Sequence, residues 1–167
     1  MAFQPTDIRS IEASAVKLIS DDWALVTASA GGKTNTMTVS WGGLGELWGR
    51  DVAFLFIRPQ RYTRELLDES DRLSISFFGG EHKKELMFCG RSSGRDVDKF
   101  EATGLTVTEL DGVPCVAEAQ VNLICKKLAV QTIDPAGFVD ESIHGDYPAK
   151  DYHRVYVVQI VSTYVKA

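Results

Sequence analysis

The chain has 167 residues, 44% hydrophobic and 25% charged, with a formal net charge of −5; that suffices for one domain with its own core and is short for two. The acidic balance argues against a nucleic-acid partner, which calls for a net basic face. No apolar run is long enough to span a bilayer, and the start, Met1-Ala2-Phe3-Gln4-Pro5-Thr6-Asp7, lacks a basic, apolar, cleavable pattern, so the expectation is a cytoplasmic protein with no membrane partner.

In chain order, the apolar positions Ile8, Ile11, Ala15, Leu18 and Ile19 have a helical spacing that predicts a helix over 8–19. Trp23 to Ser29 reads as a strand. Ala30-Gly31-Gly32-Lys33 is a hairpin signal, and Asn35-Thr36-Met37-Thr38-Val39-Ser40-Trp41 is the returning strand. Its alternation sets Met37 and Val39 on one side and the hydroxyls of Thr36, Thr38 and Ser40 on the other. A glycine-rich stretch, Gly42 to Gly49, then predicts a loop. Asp51 to Arg58 is apolar almost to its last residue, as in a strand buried on both faces. After Pro59, Tyr62 to Ser70 reads as a short helix with Gln60 or Thr63 as its cap. Arg72 to Phe78 alternates cleanly as another strand.

Glu81 to Cys89 predicts a helix with Leu86, Met87 and Cys89 turned inward. Asp96 to Thr103 predicts a second, with Val97 and Phe100 inward and Gly104 as its stop. Short strands at 105–110 and 113–116 meet at Asp111-Gly112. A long strand, Ala119 to Ile133, has a register that blurs near Lys126-Lys127. The irregular stretch Asp134 to Lys150 predicts a lid or partner-binding loop, and Tyr152 to Val165 is a last strand. Strands joined by hairpin signals, with short helices between them, favour an antiparallel barrel or sandwich over a parallel sheet.

Three clusters bear on chemistry. Arg58-Pro59-Gln60-Arg61-Tyr62-Thr63 brings two guanidiniums and a helix N-terminus together, which suits a phosphate; it suits equally a strand-to-helix turn with solvated arginines. Ser92-Ser93-Gly94-Arg95, ahead of Lys99, is either an anion-friendly loop or an ordinary helix cap. Asp151-Tyr152-His153-Arg154 places a histidine where it positions an anion or a nicotinamide, or lies on the surface. Cys89, Cys115 and Cys125 lack a CxxC pair and His82, His144 and His153 lack ligand spacing, so no disulfide scaffold and no metal site are expected.

Taken together, Asn35 to Trp41, Phe56 to Thr63, Phe88-Cys89-Gly90, Ser93 to Phe100 and Asp151 to Arg154 resemble, in the same order, the flavin reductase-like family and its flavoredoxin-like branch. The resemblance spans nearly the whole chain, 1–167, as a single domain. It implies a mainly β fold, a six-stranded antiparallel Greek-key split barrel with short inserted helices, working as a homodimer with FMN near the interface. It also implies an NAD(P)H:flavin oxidoreductase, with NADH or NADPH as co-substrate. The alternatives within the resemblance are a flavoredoxin-like electron carrier served by a redox partner protein, and a non-catalytic FMN-binding module.

By position, Met37, Thr38, Val39, Ser40 and Trp41 would meet the isoalloxazine and ribityl chain. Arg58, Gln60, Arg61, Tyr62 and Thr63 would surround the ribityl and phosphate, and Ser92, Ser93 and Lys99 would close the phosphate side. His153 is the candidate catalytic residue, standing at the place of the histidine in the family's Gly-Asp-His motif, with Asp151-Tyr152 in place of Gly-Asp.

Overall fold

The structure, a computed structural model, describes residues 2–167. Its strands are β1 (Phe3–Thr6), β2 (Ala24–Ala30), β3 (Lys33–Val39), β4 (Gly42–Leu47), β5 (Arg50–Ile57), β6 (Arg72–Phe77), β7 (Val107–Leu110), β8 (Val113–Val116), β9 (Val121–Thr132) and β10 (Arg154–Lys166). Short helices are α1 (Ala15–Lys17), α2 (Tyr62–Glu69), α3 (Lys83–Arg91) and α4 (Lys99–Thr103). The main sheet runs β3-β2-β6-β9-β10-β5-β4, with β1 also on β10, and β7 and β8 form a separate hairpin. Every pairing is antiparallel.

β3 and β4 lie at opposite edges of this sheet, yet only Ser40 and Trp41 separate them in the chain. The sheet must therefore curl until its edges approach, and β3 does reach β5. The enclosed face holds Val26, Leu55, Leu73, Ile75, Leu123, Tyr156 and Val158, joined by Leu66 and Leu67 of α2. Each such side chain contributes about 1.5–3 kcal/mol when fully buried, which makes this face the main source of stability. A second cluster, Leu25, Phe78, Leu86, Cys89, Leu105, Val116 and Ala119, fixes α3 and the β8 strand against the outside of β2. That outer layer is what carries one wall of the site.

β10 serves two neighbours on one edge: its first half pairs with β5 and its last residues with β1. On its other edge it follows β9, with register shifts at Val157/Val158 and Ile160/Ser162. The first falls opposite Lys127, where the blurred alternation of β9 predicted it.

Several expectations need correction. The sheet has eight strands rather than six and hydrogen bonds do not close it. Two strands account for the difference. β1 is four residues long and contains Pro5, too short for a periodic signal. Gly42 to Leu47, read as a loop because glycine is depleted in strands, pairs along its length with β5. A Cβ on Gly42 would lie 2.6 Å from the carbonyl oxygen of Phe54, so this strand requires glycine there.

The predicted helix over 8–19 breaks into a 3-10 turn at Ile8–Ser10 and α1, which continues as a wide turn over Leu18–Asp22. Asp7 and Ser14 each cap a new start, dividing what the apolar spacing joined. Met87 is exposed rather than inward. In α4 the inward residue is Lys99, while Phe100 is only partly buried. The start of α2 has no side-chain cap; Thr63 instead accepts a bond from Asn35 Nδ2 at 2.9 Å.

Candidate functional site

Two adjoining cavities share Arg61. One, about 230 Å³, is lined by Met37, Thr38, Val39, Ser40, Trp41, Phe56, Arg58, Arg61, Gly90 and His153. The other, about 220 Å³, is lined by Gln60, Arg61, Tyr62, Thr63, Ser92, Ser93, Gly94, Arg95, Lys99 and Arg91. The fold thus brings the candidate cofactor residues and His153 to the walls of one bipartite cleft, between β3, the β5–α2 turn, the α3–α4 loop and the start of β10, while Asp151, Tyr152 and Arg154 line neither cavity. A larger cavity of about 620 Å³ lies beneath the N-terminal segment, lined by apolar residues including Ile8, Leu18, Phe77 and Leu123. Of its charged residues Arg9 and Asp51 are paired with each other and Glu46 accepts from the Gly49 amide, so it offers no convergent free donors and is not the candidate site.

β3 forms the back wall. Met37 and Val39 enter the core, so the opposite face of the strand meets α3. The hydroxyl of Thr36 is buried against Thr27 and Val26, and that of Thr38 donates to the Leu86 carbonyl. The hydroxyls of Thr36 and Thr38 are therefore occupied by the protein, and what β3 presents along this stretch is backbone. Lys99 Nζ donates to the Thr36 carbonyl at 2.8 Å. Since a residue's N–H and C=O share one side of an antiparallel strand, Thr38 two residues on presents its backbone groups on the same unpaired edge. Ser40 and Trp41 are exposed at the end of that edge.

The second cavity is built around cations without carboxylates. Arg61 donates to the Gly90 carbonyl at 2.7 Å and more weakly to Cys89 at 3.3 Å. Lys99, only 3% exposed, donates to the same Cys89 carbonyl at 2.7 Å. Neither forms an ion pair among the described residues. Burial lowers the pKa of Arg61, and burial with the neighbouring Arg61 charge pushes Lys99 down to about 8. Two cations, one buried and one half-buried, that share one carbonyl repel each other, a cost that an anion between them would offset. The uncapped first amides of α2, at Tyr62 and Thr63, open on the same cavity and add to its positive potential.

Arg58 is used differently. It pairs with Asp151 at 2.8 Å, donates to the Asp146 carbonyl at 2.9 Å, and lies 5.1 Å above the Tyr147 ring. Gln60 Nε2 reaches the same Asp151 Oδ2 at 2.8 Å. Hydrogen bonds from Gln60 and Arg58 hold the Asp151 carboxyl below its usual pKa. Both residues line the cleft while tying it to the irregular segment, which folds as turns at Pro135–Gly137 and Glu141–Asp146. His153 is 6% exposed, bonded through Nδ1 to the Tyr147 hydroxyl at 2.7 Å, with its ring 5.3 Å from that of Trp41. It is not a surface histidine.

Sequence reasoning missed Tyr147 as part of the site, and named Asn35 and Gly94 only as members of longer stretches, without a role of their own. Asn35 had a signal, an amide inside a β-branched strand where asparagine is depleted; Tyr147, in an aperiodic stretch, had none. Asn35 holds Thr63, and a Cβ on Gly94 would collide with the Asn35 carboxamide. Because that amide is buried and bonded, it has little room to yield. Gly94→Ala is therefore expected to cost about 1–3 kcal/mol, read as a lowered urea midpoint at unchanged m-value. An unshifted midpoint would show that the α3–α4 loop moves freely.

The domain model described as "Flavin reductase like domain" matches residues 17–167. No curated protein sequence matches the chain. Solved structures do. An FMN-binding domain of a flavin reductases-like enzyme from Shewanella baltica OS155 superposes with a TM-score of 0.71 at 17% identity, over 98% of this chain and 77% of that one. Flavoredoxin from Methanosarcina acetivorans gives 0.68 at 22%, over 87% and 68%. An FMN-binding protein from Thermus thermophilus, solved with bound p-hydroxybenzaldehyde, gives 0.66 at 26%, over 86% and 71%. With a match running from residue 17 to residue 167 and a fold shared with these structures, the chain belongs to the flavin reductase-like domain family.

Proposed function

We propose that this protein binds FMN in the bipartite cleft and passes electrons from NADH or NADPH to it, and from there to a further acceptor. The observation that carries the reading is the pair of carboxylate-free cations, half-buried Arg61 and buried Lys99, at the foot of the first turn of α2. The residues fit the group on three counts. The two cavities together fall within the roughly 300–1,000 Å³ usual for cofactor sites. The anion seat lies at one end and an extended backbone edge with an exposed aromatic, Trp41, at the other. The slot narrows at Gly90, where a Cβ would meet the Thr38 side chain at 3.4 Å.

When bound, FMN would supply the two-electron chemistry; the chain's own part is to bind, orient and shield. Arg61, Lys99 and the amides of Tyr62 and Thr63 would hold the phosphate, with Ser92 and Ser93 closing that side. The free edge of β3 at Thr38 would offer backbone donors and acceptors to the ring system. Trp41, 50% exposed, stands where it can cover a ring face or meet a second subunit. Arg58 and Gln60 would act through Asp151, keeping the 134–152 segment against the cleft mouth. We place the protein in the cytoplasm as a homodimer with the cleft near the subunit interface; no helix among the described residues is long and apolar enough to cross a membrane.

Purified protein supplied with FMN is expected to retain it through desalting and show flavin absorption. Rapid mixing with NADH and NADPH under anaerobic conditions is expected to bleach that absorption. A protein that stays colourless overturns the reading. Retained flavin that neither nicotinamide bleaches would turn it toward a carrier loaded by a protein donor.

A further inference from the structure

The 134–152 segment does more than cover the cleft. It delivers Tyr147, 7% exposed, into a stack with Phe138, whose ring is 6.0 Å away at 20°, and against Tyr152 at 5.0 Å. Arg58 lies over the same ring. The phenol is thus held on several sides, and its hydroxyl reaches one partner, Nδ1 of His153 at 2.7 Å. The other imidazole nitrogen has no hydrogen-bond partner among the described residues, yet it is not sealed from solvent. It keeps access to the cleft that the ring lines.

These contacts favour one direction for the bond. If Nδ1 carried the proton, the Tyr147 hydroxyl hydrogen would be left without an acceptor in a buried setting, which costs about 1–3 kcal/mol. If the phenol donates, its hydrogen and the Nδ1 lone pair are both satisfied. The imidazole is then neutral with its proton on Nε2. Burial and the Arg58 charge both lower the pKa of His153, in keeping with a neutral ring.

We propose that Tyr147 is a positioning residue: by donating its hydroxyl to His153 Nδ1 it fixes the Nε2–H tautomer and presents that N–H to the cleft as a donor for an uncharged carbonyl oxygen of a co-substrate. The tautomer part stands on this geometry alone; the co-substrate part rests on the proposed function. A fixed N–H donor favours a ligand carrying an amide, aldehyde or ketone oxygen and gives nothing to one lacking an acceptor.

The test is long-range ¹H–¹⁵N NMR of histidine-labelled protein near pH 8, with the His153 signals assigned from His153→Gln. Wild type is expected to show a pyrrole-type Nε2 and a pyridine-type Nδ1. Tyr147→Phe, which keeps the ring stack, is expected to move both shifts toward the average of the two tautomers. An Nδ1–H tautomer in wild type, or shifts unchanged in Tyr147→Phe, overturns the assignment. Nicotinamide, a neutral carbonyl probe, is then titrated into protein supplied with excess FMN. The Nε2 shift is expected to respond, with binding about 2- to 10-fold weaker in Tyr147→Phe; an Nε2 signal that nicotinamide leaves unmoved overturns the donor role. Neither readout depends on turnover, so a protein that NADH fails to reduce would fail the proposed function and leave this result distinct.

Discussion

Arg61→Gln is expected to weaken FMN binding by about 10- to 150-fold, corresponding to roughly 1.5–3 kcal/mol for one charge-assisted contact. The size follows from the position. Arg61 is the one side chain shared by both cavities, it is half-buried, and no carboxylate of the described chain competes for it. Glutamine keeps a donor for the Gly90 carbonyl, so the loss is of charge more than of structure. Riboflavin, which has no phosphate, is the control: its affinity is expected to change little. Flavin fluorescence quenching measures both. Equal losses for FMN and riboflavin would place the phosphate elsewhere and leave Arg61 as a brace for the α3–α4 loop.

Raising the pH above 8 is expected to weaken FMN binding by up to tenfold per pH unit, while riboflavin binding stays level. Burial first, and Arg61 second, bring the Lys99 pKa from 10.5 to about 8. Phosphate favours the ammonium form, so affinity is full where Lys99 is already charged and falls where a proton must be taken up on binding. FMN phosphate loses its second proton near pH 6, as phosphate monoesters do, so the plateau lies between about 7 and 8. The sign for the free protein is opposite. With the folded pKa below the unfolded one, the unfolded chain takes up the proton first as pH falls from about 10.5. Stability therefore declines toward pH 8 and is level below it, a cost of about 3 kcal/mol. Lys99→Met should abolish the pH dependence of FMN affinity and stabilise the free protein at neutral pH. FMN affinity that keeps its full pH dependence in Lys99→Met would assign the titration to another group.

How much of this was legible in the residues depended on the kind of signal. Strands β2, β3, β5, β6 and β10 could be read because alternation and hairpin glycines are local properties. The members of the cleft could be read because Arg58 to Thr63 and Ser92 to Lys99 are contiguous segments. Their division of labour could not. Arg58 and Arg61 look alike in the sequence, but Asp151, 93 positions beyond Arg58, takes one of them and leaves the other free. β4 was hidden because its fitness as a strand lies in the Phe54 carbonyl across from Gly42, which no periodicity records. The inward turn of Lys99 was hidden for a similar reason: its partners are carbonyls of Thr36 and Cys89, and backbone acceptors leave no mark in a sequence.

The two-residue link Ser40-Trp41 joins strands that stand at opposite edges of the sheet. It acts as a tether whose length gauges the cleft. No ladder of hydrogen bonds sets how far those edges stand apart; the contour length of a few covalent bonds does. Lengthening the chain at this seam would widen the mouth while leaving every strand pairing in place. Selection on ligand breadth in this chain would thus act through a spacer as readily as through the residues that line the walls.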